Sequence, residues 1–484
     1  MATATDVPRA ADPAQHRVER RPTSAALAGE QRALGRAVRK DVPRSELGVW
    51  SLPDDRPDPV ELLEEQAQGR VPELVPIRYG RMLVSAFSFY RGAANVMAAD
   101  LARSPSTGIY TWLCGDAHLS NFGMFATPER RLVFDLNDFD EAYPGPFEWD
   151  VKRLVASLVV AGRDRDFHDD VAEQAATAAA QAYRETILAM SEEPTLDAWY
   201  SRIDVADVQE QLKEAHDKKM ERTTDKLVRK ASTRTNLGSL DKFAEPVDGS
   251  YRIREDPPLI IRIEPSEKTP GGLVIADVLL DAYGAYVATL PAHMRVLLPS
   301  YRFADAARKV VGVGSVGTMA FMILLLGPHD DPLFLQLKEA MPSVLERYTE
   351  PGLCGEQNGE RVVTGQCLMQ SASDQFLGWL RIEAVQRPYD FYVRQLRDWK
   401  GSLDVETVRP EGLVKYGGLC GVALAHAHGR GGNMSAIAGY LGKSQTFDTA
   451  MSSFGFAYAD QTALDYQELV QAEADGRITA EHGI

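Results

Sequence analysis

The stretch Gly115-Asp116-Ala117-His118-Leu119-Ser120-Asn121, followed after a short hairpin by Asn137-Asp138-Phe139-Asp140, gathers side chains suited to phosphoryl transfer. One carboxylate can orient an attacking hydroxyl. An Asn and a later Asp can hold Mg²⁺ on nucleotide phosphates, because Mg²⁺ is bound by one or two carboxylates with phosphate oxygens completing its shell.

A second set follows about two hundred residues later. Gly312-Val313-Gly314-Ser315-Val316-Gly317 fits GxGxxG, a weak signal by itself. It lies between two β-prone runs, not between a strand and a helix. That disfavours a dinucleotide turn, whose third Gly opens a helix, and favours a strand–loop–strand flap over ATP phosphates. Lys338 comes 21 residues after Gly317, at the end of the strand-like run Leu333–Leu337, where a Lys can hold α- and β-phosphates. Such a Lys calls for an acidic partner on the next helix. Glu356 and Glu360 are the candidates, with Gln366 and Gln370 as polar substitutes.

These groups need elements to position them. Ile109–Leu113 reads as a strand running into Gly115, and Leu132–Phe134 as a second strand. Val151, Leu154, Val155, Leu158 and Val159 follow i, i+3, i+4, i+7, i+8 spacing and predict an amphipathic helix, with Asp150 at its head. Helical patterns cover 168–195, 205–231 and 277–298. Strands are expected at Val310–Val313, Met319–Leu326 and Leu333–Lys338, a helix at 361–373, strands at 376–382 and 390–396, and helix again in the last hundred residues. The chain therefore divides into a flexible segment (1–45), a mainly helical lobe (46–305), a sheet lobe (306–400) and returning helices (401–484).

A net charge of −16 over 484 residues argues against a general nucleic-acid binder. Cys114, Cys354, Cys367 and Cys420 stand far apart without CxxC, which suggests buried reduced thiols. The absence of an apolar leader segment and of a membrane-length apolar run points to a cytoplasmic protein without membrane partners. No HExxH, GxSxG or Walker A pattern occurs. The basic cluster Lys218, Lys219, Arg222, Lys226, Arg229, Lys230 and Arg234 reads as a solvated helix face. His426 and His428, at i and i+2, face different sides of a helix and read as a glycine-capped helix end rather than a metal pair. Phe87, Phe89 and Tyr90 beside Arg91 read as core packing.

Asp116–Asn121 resembles the HGD-x-H-x-x-N loop of the aminoglycoside and choline phosphotransferases. Asn137-Asp138-Phe139-Asp140-Glu141-Ala142 with Gly145–Asp150 resembles the I-D-F-x-D-A…G-D-P segment of the same protein-kinase-like group. The whole chain also resembles a large bacterial family carried under an uncharacterised-domain label, in which GDAH-x-x-NFG and FDEA segments recur. The first resemblance implies an α+β, two-lobed protein-kinase-like fold. Since the glycine loop and Lys338 follow the catalytic loop instead of preceding it, the lobe order must be permuted. It implies Asp116 as catalytic carboxylate, His118 chiefly as loop brace, Asn121 and Asp138 as Mg²⁺ ligands with Asp140 or Asp135 as further ones, and Asp150 as acceptor for catalytic-loop N–H groups. Gly312, Gly314, Ser315, Gly317 and Lys338 would bind ATP. Cys114 departs from the pattern, standing where the group has His. The expected reaction moves the γ-phosphoryl group of ATP to a hydroxyl of a small molecule. AMP transfer on the same fold, a non-catalytic nucleotide-binding protein and a nucleotide-independent phosphoesterase are the alternatives.

Overall fold

The computed structural model describes residues 28–214, 218–233, 236–247, 249–264, 266, 275–310, 312–383, 387–396, 399, 401–402 and 404–484. Most of the segment expected to be flexible (1–27), Arg234 of the basic cluster and the loop Thr269–Gly272 lie outside the described residues.

The chain opens with helices α1 (Ala28–Asp41), α2 (Pro59–Ala67), α3 (Val75–Met82), α4 (Ala86–Gly92) and α5 (Ala94–Leu101). Short strands follow: β1 (Tyr110–Leu113), β2 (Phe122–Ala126), β3 (Leu132–Leu136) and β4 (Tyr143–Pro146). Then come α6 (Glu148–Asp164), α7 (Asp169–Met190), α8 (Thr195–Tyr200), β5 (Ile203–Asp204), α9 (Val205–Glu214), α10 (Lys218–Ser232) and α11 (Asn236–Phe243). The middle of the chain holds β6 (Ala244–Val247), β7 (Ser250–Ile253), β8 (Ile260–Arg262), α12 (Ile275–Thr289), α13 (Ala292–Leu297), β9 (Arg302–Lys309), β10 (Ala320–Leu326) and β11 (Pro332–Glu339). It closes with α14 (Asn358–Met369), β12 (Gly378–Ile382), β13 (Tyr389–Gln395), α15 (Pro410–Gly431), α16 (Met434–Leu441) and α17 (Thr446–Ala474). The result is a mixed α+β fold with antiparallel sheets.

Among the described residues the largest sheet has six antiparallel strands in the order β12-β13-β11-β10-β9-β8. The run Ala320–Leu326 is buried throughout, because both faces are covered. Phe321, Ile323 and Leu325 pack with Tyr286, Leu290 and Met294 of α12–α13. Met322, Leu324 and Leu326, on the opposite face by the period of two, pack with Leu240, Phe243 and Ile253. Of the expected strand Val310–Val313, Val310, Gly312 and Val313 are not in a strand, and Val311 lies outside the described residues. Strand β9 ends at Lys309, short of the glycine loop, and the sheet draws in β8 and the first half of β9 from the lobe expected to be mainly helical. Helix 277–298 breaks before Pro291, whose ring and missing N–H cannot continue the ladder.

The other core is helical. The spacing expected of Val151–Val159 holds in α6, yet α6 is not amphipathic: residues from Glu148 to Gly162 are all buried, since α7, α15 and α17 enclose it. The N-terminal stretch 28–41, expected to be flexible, is a helix lying on α16, with Gly35 close to Ala436 O and Arg39 donating to Tyr440 O (2.6 Å) and Gly439 O. Phe87, Phe89 and Tyr90 are core residues, as expected. Lys218, Arg222, Lys226, Arg229 and Lys230 are exposed, as a solvated face requires. Of the four thiols, Cys114 and Cys420 are buried and Cys354 is half-buried. Cys367, contrary to expectation, is exposed.

Candidate functional site

The loop after β1 is shaped by the polar residues of α6. Asp150 accepts from Cys114 N (2.8 Å) and Gly115 N (3.1 Å). One turn on, Arg153 donates to Asp116 Oδ1 (2.8 Å), and a turn further Ser157 Oγ accepts from Leu119 N (2.9 Å). Positions i, i+3 and i+7 of one helix thus hold three successive points of the loop. Asp150 has the role implied for it. Its own brace is His428, fully buried, which lies 3.2 Å from Asp150 through Nε2 and 2.8 Å from the Tyr183 hydroxyl through Nδ1. His428 is therefore more than a capped helix end. The loop turns at Gly115 (φ +77°), where a Cβ would come within 2.3 Å of Glu141 O.

Asp116 stands with Oδ1 bound to Arg153 and Oδ2 3.6 Å from His118 Nε2. His118 Nδ1 accepts from Ser120 N, so the ring proton resides on Nε2, facing Asp116. Burial, with Arg91 and Arg153 adding to it, pushes the His118 imidazolium far down, so the ring is neutral and acts as a brace. Burial raises the Asp116 carboxyl against the pull of Arg153 and Arg91. Asn121 donates from Nδ2 to Asp116 O (2.8 Å), which ties the two ends of the loop.

Asp138 and Asp140 face this loop. Asp140 accepts from Lys338 Nζ (2.5 Å), the Tyr392 hydroxyl (2.6 Å) and Ser315 Oγ (3.0 Å). Burial would raise it, but Lys338 and these hydrogen bonds outweigh burial and hold it at about 2. Asp138 is the looser carboxylate, 3.9 Å from Lys338 with its side chain 34 % exposed; burial and the neighbouring Asp140 charge raise it. Burial pulls the Lys338 ammonium down, but Asp138 and Asp140 more than offset this and keep it charged. Lys338 and Tyr392 are directly opposed in register on β11 and β13, so one sheet face delivers both.

The partner of Lys338 is therefore Asp140, not Glu356 or Glu360. The helix expected to carry an acid, α14, instead presents Arg361, which donates to Asp140 O (3.0 Å), Ala142 O (2.6 Å) and Met341 O (2.7 Å) and so fixes the Asp138–Ala142 backbone. Gln370 donates to Leu136 O and Gln366 to Gln370, away from Lys338. Asp135 is buried, accepting from Ser371 N and Oγ (2.9 Å each) with Arg430 3.7 Å away, and it does not line the cavity. Asp135 is a structural carboxylate.

A cavity of about 480 Å³ is lined by Asp116, His118, Asn121, Asp138, Asp140 and Glu141 together with Gly312, Gly314 and Ser315. The two sets, distant in sequence, thus share one cavity. Gly317 (φ +91°) stands behind it against Arg70, and Lys338 lies behind Asp140, only 3 % exposed. The glycine loop is held by its carbonyls. Arg81 donates to Gly312 O, Arg70 to Val316 O (2.5 Å) and Val71 N to Gly317 O (2.7 Å). Burial pushes the Glu141 carboxyl up to about 7; it accepts from Val344 N (2.7 Å).

Among the described residues, no three His, Cys, Asp or Glu side chains form a closed metal cage. Asn121 and Asp138 on one cavity wall fit a looser requirement, that of a Mg²⁺ arriving on phosphates that supply its remaining ligands. Sequence reasoning missed Arg153, Ser157, Arg361, Tyr392 and His428. The i, i+3, i+7 polar series 150, 153, 157 in an otherwise apolar helix was the available signal for two of them.

No helix among the described residues is long and apolar enough to cross a membrane. No curated protein and no solved structure matches the chain. A family model described as "Uncharacterized protein conserved in bacteria (DUF2252)" matches residues 70–472, from the arginine behind the glycine loop to the last turn of α17, and the chain belongs to that family.

Proposed function

We propose that the protein is an ATP- and Mg²⁺-dependent phosphotransferase that moves the γ-phosphoryl group to a hydroxyl of a small molecule, on a protein-kinase-like fold with permuted lobe order. The observation that carries this reading is the meeting of Lys338 and Ser315 with Asp140 at the cavity that also holds Asp116, Asn121 and Asp138. The run from β9 through the glycine loop, β10, the Lys338 strand β11 and α14 to β12 and β13 supports it, since a kinase-type nucleotide lobe orders its glycine loop, lysine strand and helix in this way.

In this reading Asp116 keeps Oδ1 on Arg153 and offers Oδ2 to the acceptor hydroxyl. The hydroxyl oxygen forms the new bond to phosphorus as the bond from γ-phosphorus to the bridging oxygen breaks, ADP leaves, and the proton passes to Asp116 Oδ2. Asp138 and the Asn121 amide oxygen would hold Mg²⁺, which supplies charge neutralisation on the phosphates. Lys338, held behind Asp140 and kept charged by Asp138 and Asp140, would be the cation that meets the phosphates once nucleotide engages Asp140. Positioning and electrostatics make up most of the catalysis at such a site.

The test is calorimetric titration of ATP into the full chain with and without Mg²⁺, alongside Asp138→Ala and Lys338→Met. Mg²⁺-dependent binding that both substitutions abolish is expected. ATP binding absent from the unaltered protein, or indifferent to both substitutions, overturns the proposal. Mass spectrometry of products from an acceptor screen separates phosphoryl from nucleotidyl transfer.

A further inference from the structure

We infer that the acceptor carries an oxyanion, a phosphate or carboxylate, and that Arg91 binds it beside Asp116. This rests on the phosphotransferase reading and names its substrate class. Arg91 lies in the last turn of α4 and lines the cavity. It makes no hydrogen bond or ion pair with any described residue, and its Nε is buried without a partner. Its guanidinium lies close enough to Asp116 for each to shift the other's proton affinity.

No ion pair joins it to Asp116, whose Oδ1 is bound by Arg153 and whose Oδ2 stands 3.6 Å from His118 Nε2. Nor does it belong to the nucleotide set, where Lys338, Tyr392 and Ser315 converge on Asp140. Close by, Asn95 also lines the cavity. Its Nδ2 donates to Leu62 O (2.9 Å), but its Oδ1 is buried and unpartnered, an acceptor suited to a substrate hydroxyl.

Arg91 is half-buried with its Nε closed off from water, a costly place for an unpaired charge, and Arg does not lose its proton to relieve the cost. Its planar fork matches a carboxylate or phosphate through two parallel hydrogen bonds. An oxyanion seated there fixes the rest of the acceptor relative to Asp116, so that a hydroxyl of the same molecule meets Oδ2.

The experiment uses the full chain saturated with Mg²⁺ and a non-hydrolysable ATP analogue. Inorganic phosphate and acetate are titrated separately into unaltered protein, Arg91→Gln and Arg91→Lys. Turnover with ATP is then compared across matched acceptors: glycerol, glycerol 3-phosphate and glycerate; glucose, glucose 6-phosphate and gluconate.

We expect Arg91→Gln to weaken the preferred oxyanion on the order of 10- to 100-fold, the loss of charge-assisted hydrogen bonds, with analogue affinity within about twofold of the unaltered protein. Arg91→Lys should recover part of the loss, and in each group of three acceptors an anionic member should turn over faster than the neutral one. The phosphate and carboxylate arms decide which oxyanion is meant.

Arg91→Gln weakening the ATP analogue itself would assign Arg91 to the triphosphate and overturn the inference. So would oxyanion binding unchanged by the substitution, which marks an adventitious ion only, or faster turnover of the neutral acceptors. In those cases the phosphotransferase reading survives, whereas analogue binding absent from the unaltered protein removes both. The Arg91 side chain makes no hydrogen bond or ion pair with a described residue and only a distant contact with the Phe87 ring (6.0 Å), so the melting temperature of Arg91→Gln serves as the folding control and should move by no more than a degree or so.

Discussion

Residues Cys114–Asn121 are fixed from behind by side chains of one enclosed helix, α6. Gly312–Gly317 are fixed by their own carbonyls, which accept from Arg70, Val71 and Arg81 of a segment about 240 residues away in sequence. The first arrangement sits in a dry core, where each hydrogen bond is costly to lose because water cannot replace it. The second lies at the cavity rim, where the carbonyls of a displaced loop can bond water instead. The contrast suggests one rigid wall carrying the carboxylates and one yielding wall that can adjust to a nucleotide.

Removing the chemistry from the rigid wall gives the largest expected effect. Asp138→Ala and Asp116→Ala should each lower ATP turnover by about 10²–10⁴-fold, the range for loss of a general base or a preorganised electrostatic group. Only Asp138→Ala should also remove the Mg²⁺ dependence of nucleotide binding. Steady-state rates and calorimetry on the same preparations separate these outcomes, and equal Mg²⁺ dependence in both variants would contradict the division of roles.

Breaking the brace of that wall comes next. Asp150→Ala removes the acceptor for Cys114 N and Gly115 N and leaves His428 without its carboxylate. The expected cost is about 3 kcal/mol of stability, from buried donors left unpaired. Denaturant unfolding measures it. A cost below about 1 kcal/mol would mean that α6 does not brace the loop.

Glu141, between the two walls, adds a pH signature. Its carboxyl is raised from 4.5 to about 7 by burial. The unfolded chain loses that proton near pH 4.5 while the folded chain keeps it until about 7. Stability therefore falls as pH rises through this window and is level above it, by at most about 3 kcal/mol. Glu141→Gln can still accept from Val344 N and should flatten that part of the profile, so the variant gains stability relative to the unaltered protein between pH 5 and 7. Unfolding free energies at pH 5, 6, 7 and 8 for both proteins test the sign, and parallel profiles would refute it.

The difference between the walls also accounts for what could be read from the sequence. Asp116, Asn121, Asp138 and Asp150 lie within 35 residues of one another in sequence, so their gathering around one loop was foreseeable. The apolar runs 319–326 and 333–337, separated by a Gly/Pro-containing turn, marked β10 and β11 to within a residue or two. What failed were statements that depend on distant partners. The acid facing Lys338 was sought on the next helix, but register places Tyr392 opposite it and the chain path brings Asp140 to it. Asp135, expected as a candidate further metal ligand, has Oδ2 taken by Ser371 and Arg430 and Oδ1 by Leu136 N. Helix α6 passed for amphipathic because its polar residues bind loops instead of water, a distinction that hydrophobic periodicity does not carry.

The yielding wall should respond most gently. Arg81 donates to Gly312 O from an exposed position and also to Ile484 O (3.1 Å). Arg81→Ala removes one of the ties on the glycine loop without opening the core, so the stability change should stay below about 1 kcal/mol, as for most surface substitutions. A loop freed at one end populates more conformers, and ATP must then select the closed one. The apparent KM for ATP should rise about two- to fivefold with kcat within twofold, because the bound complex is unchanged and only its preorganisation is lost. A fall in kcat with KM unaltered would mean that the tie shapes the reacting complex itself. Both walls would then be equally rigid, and the contrast between them would reduce to one of burial alone.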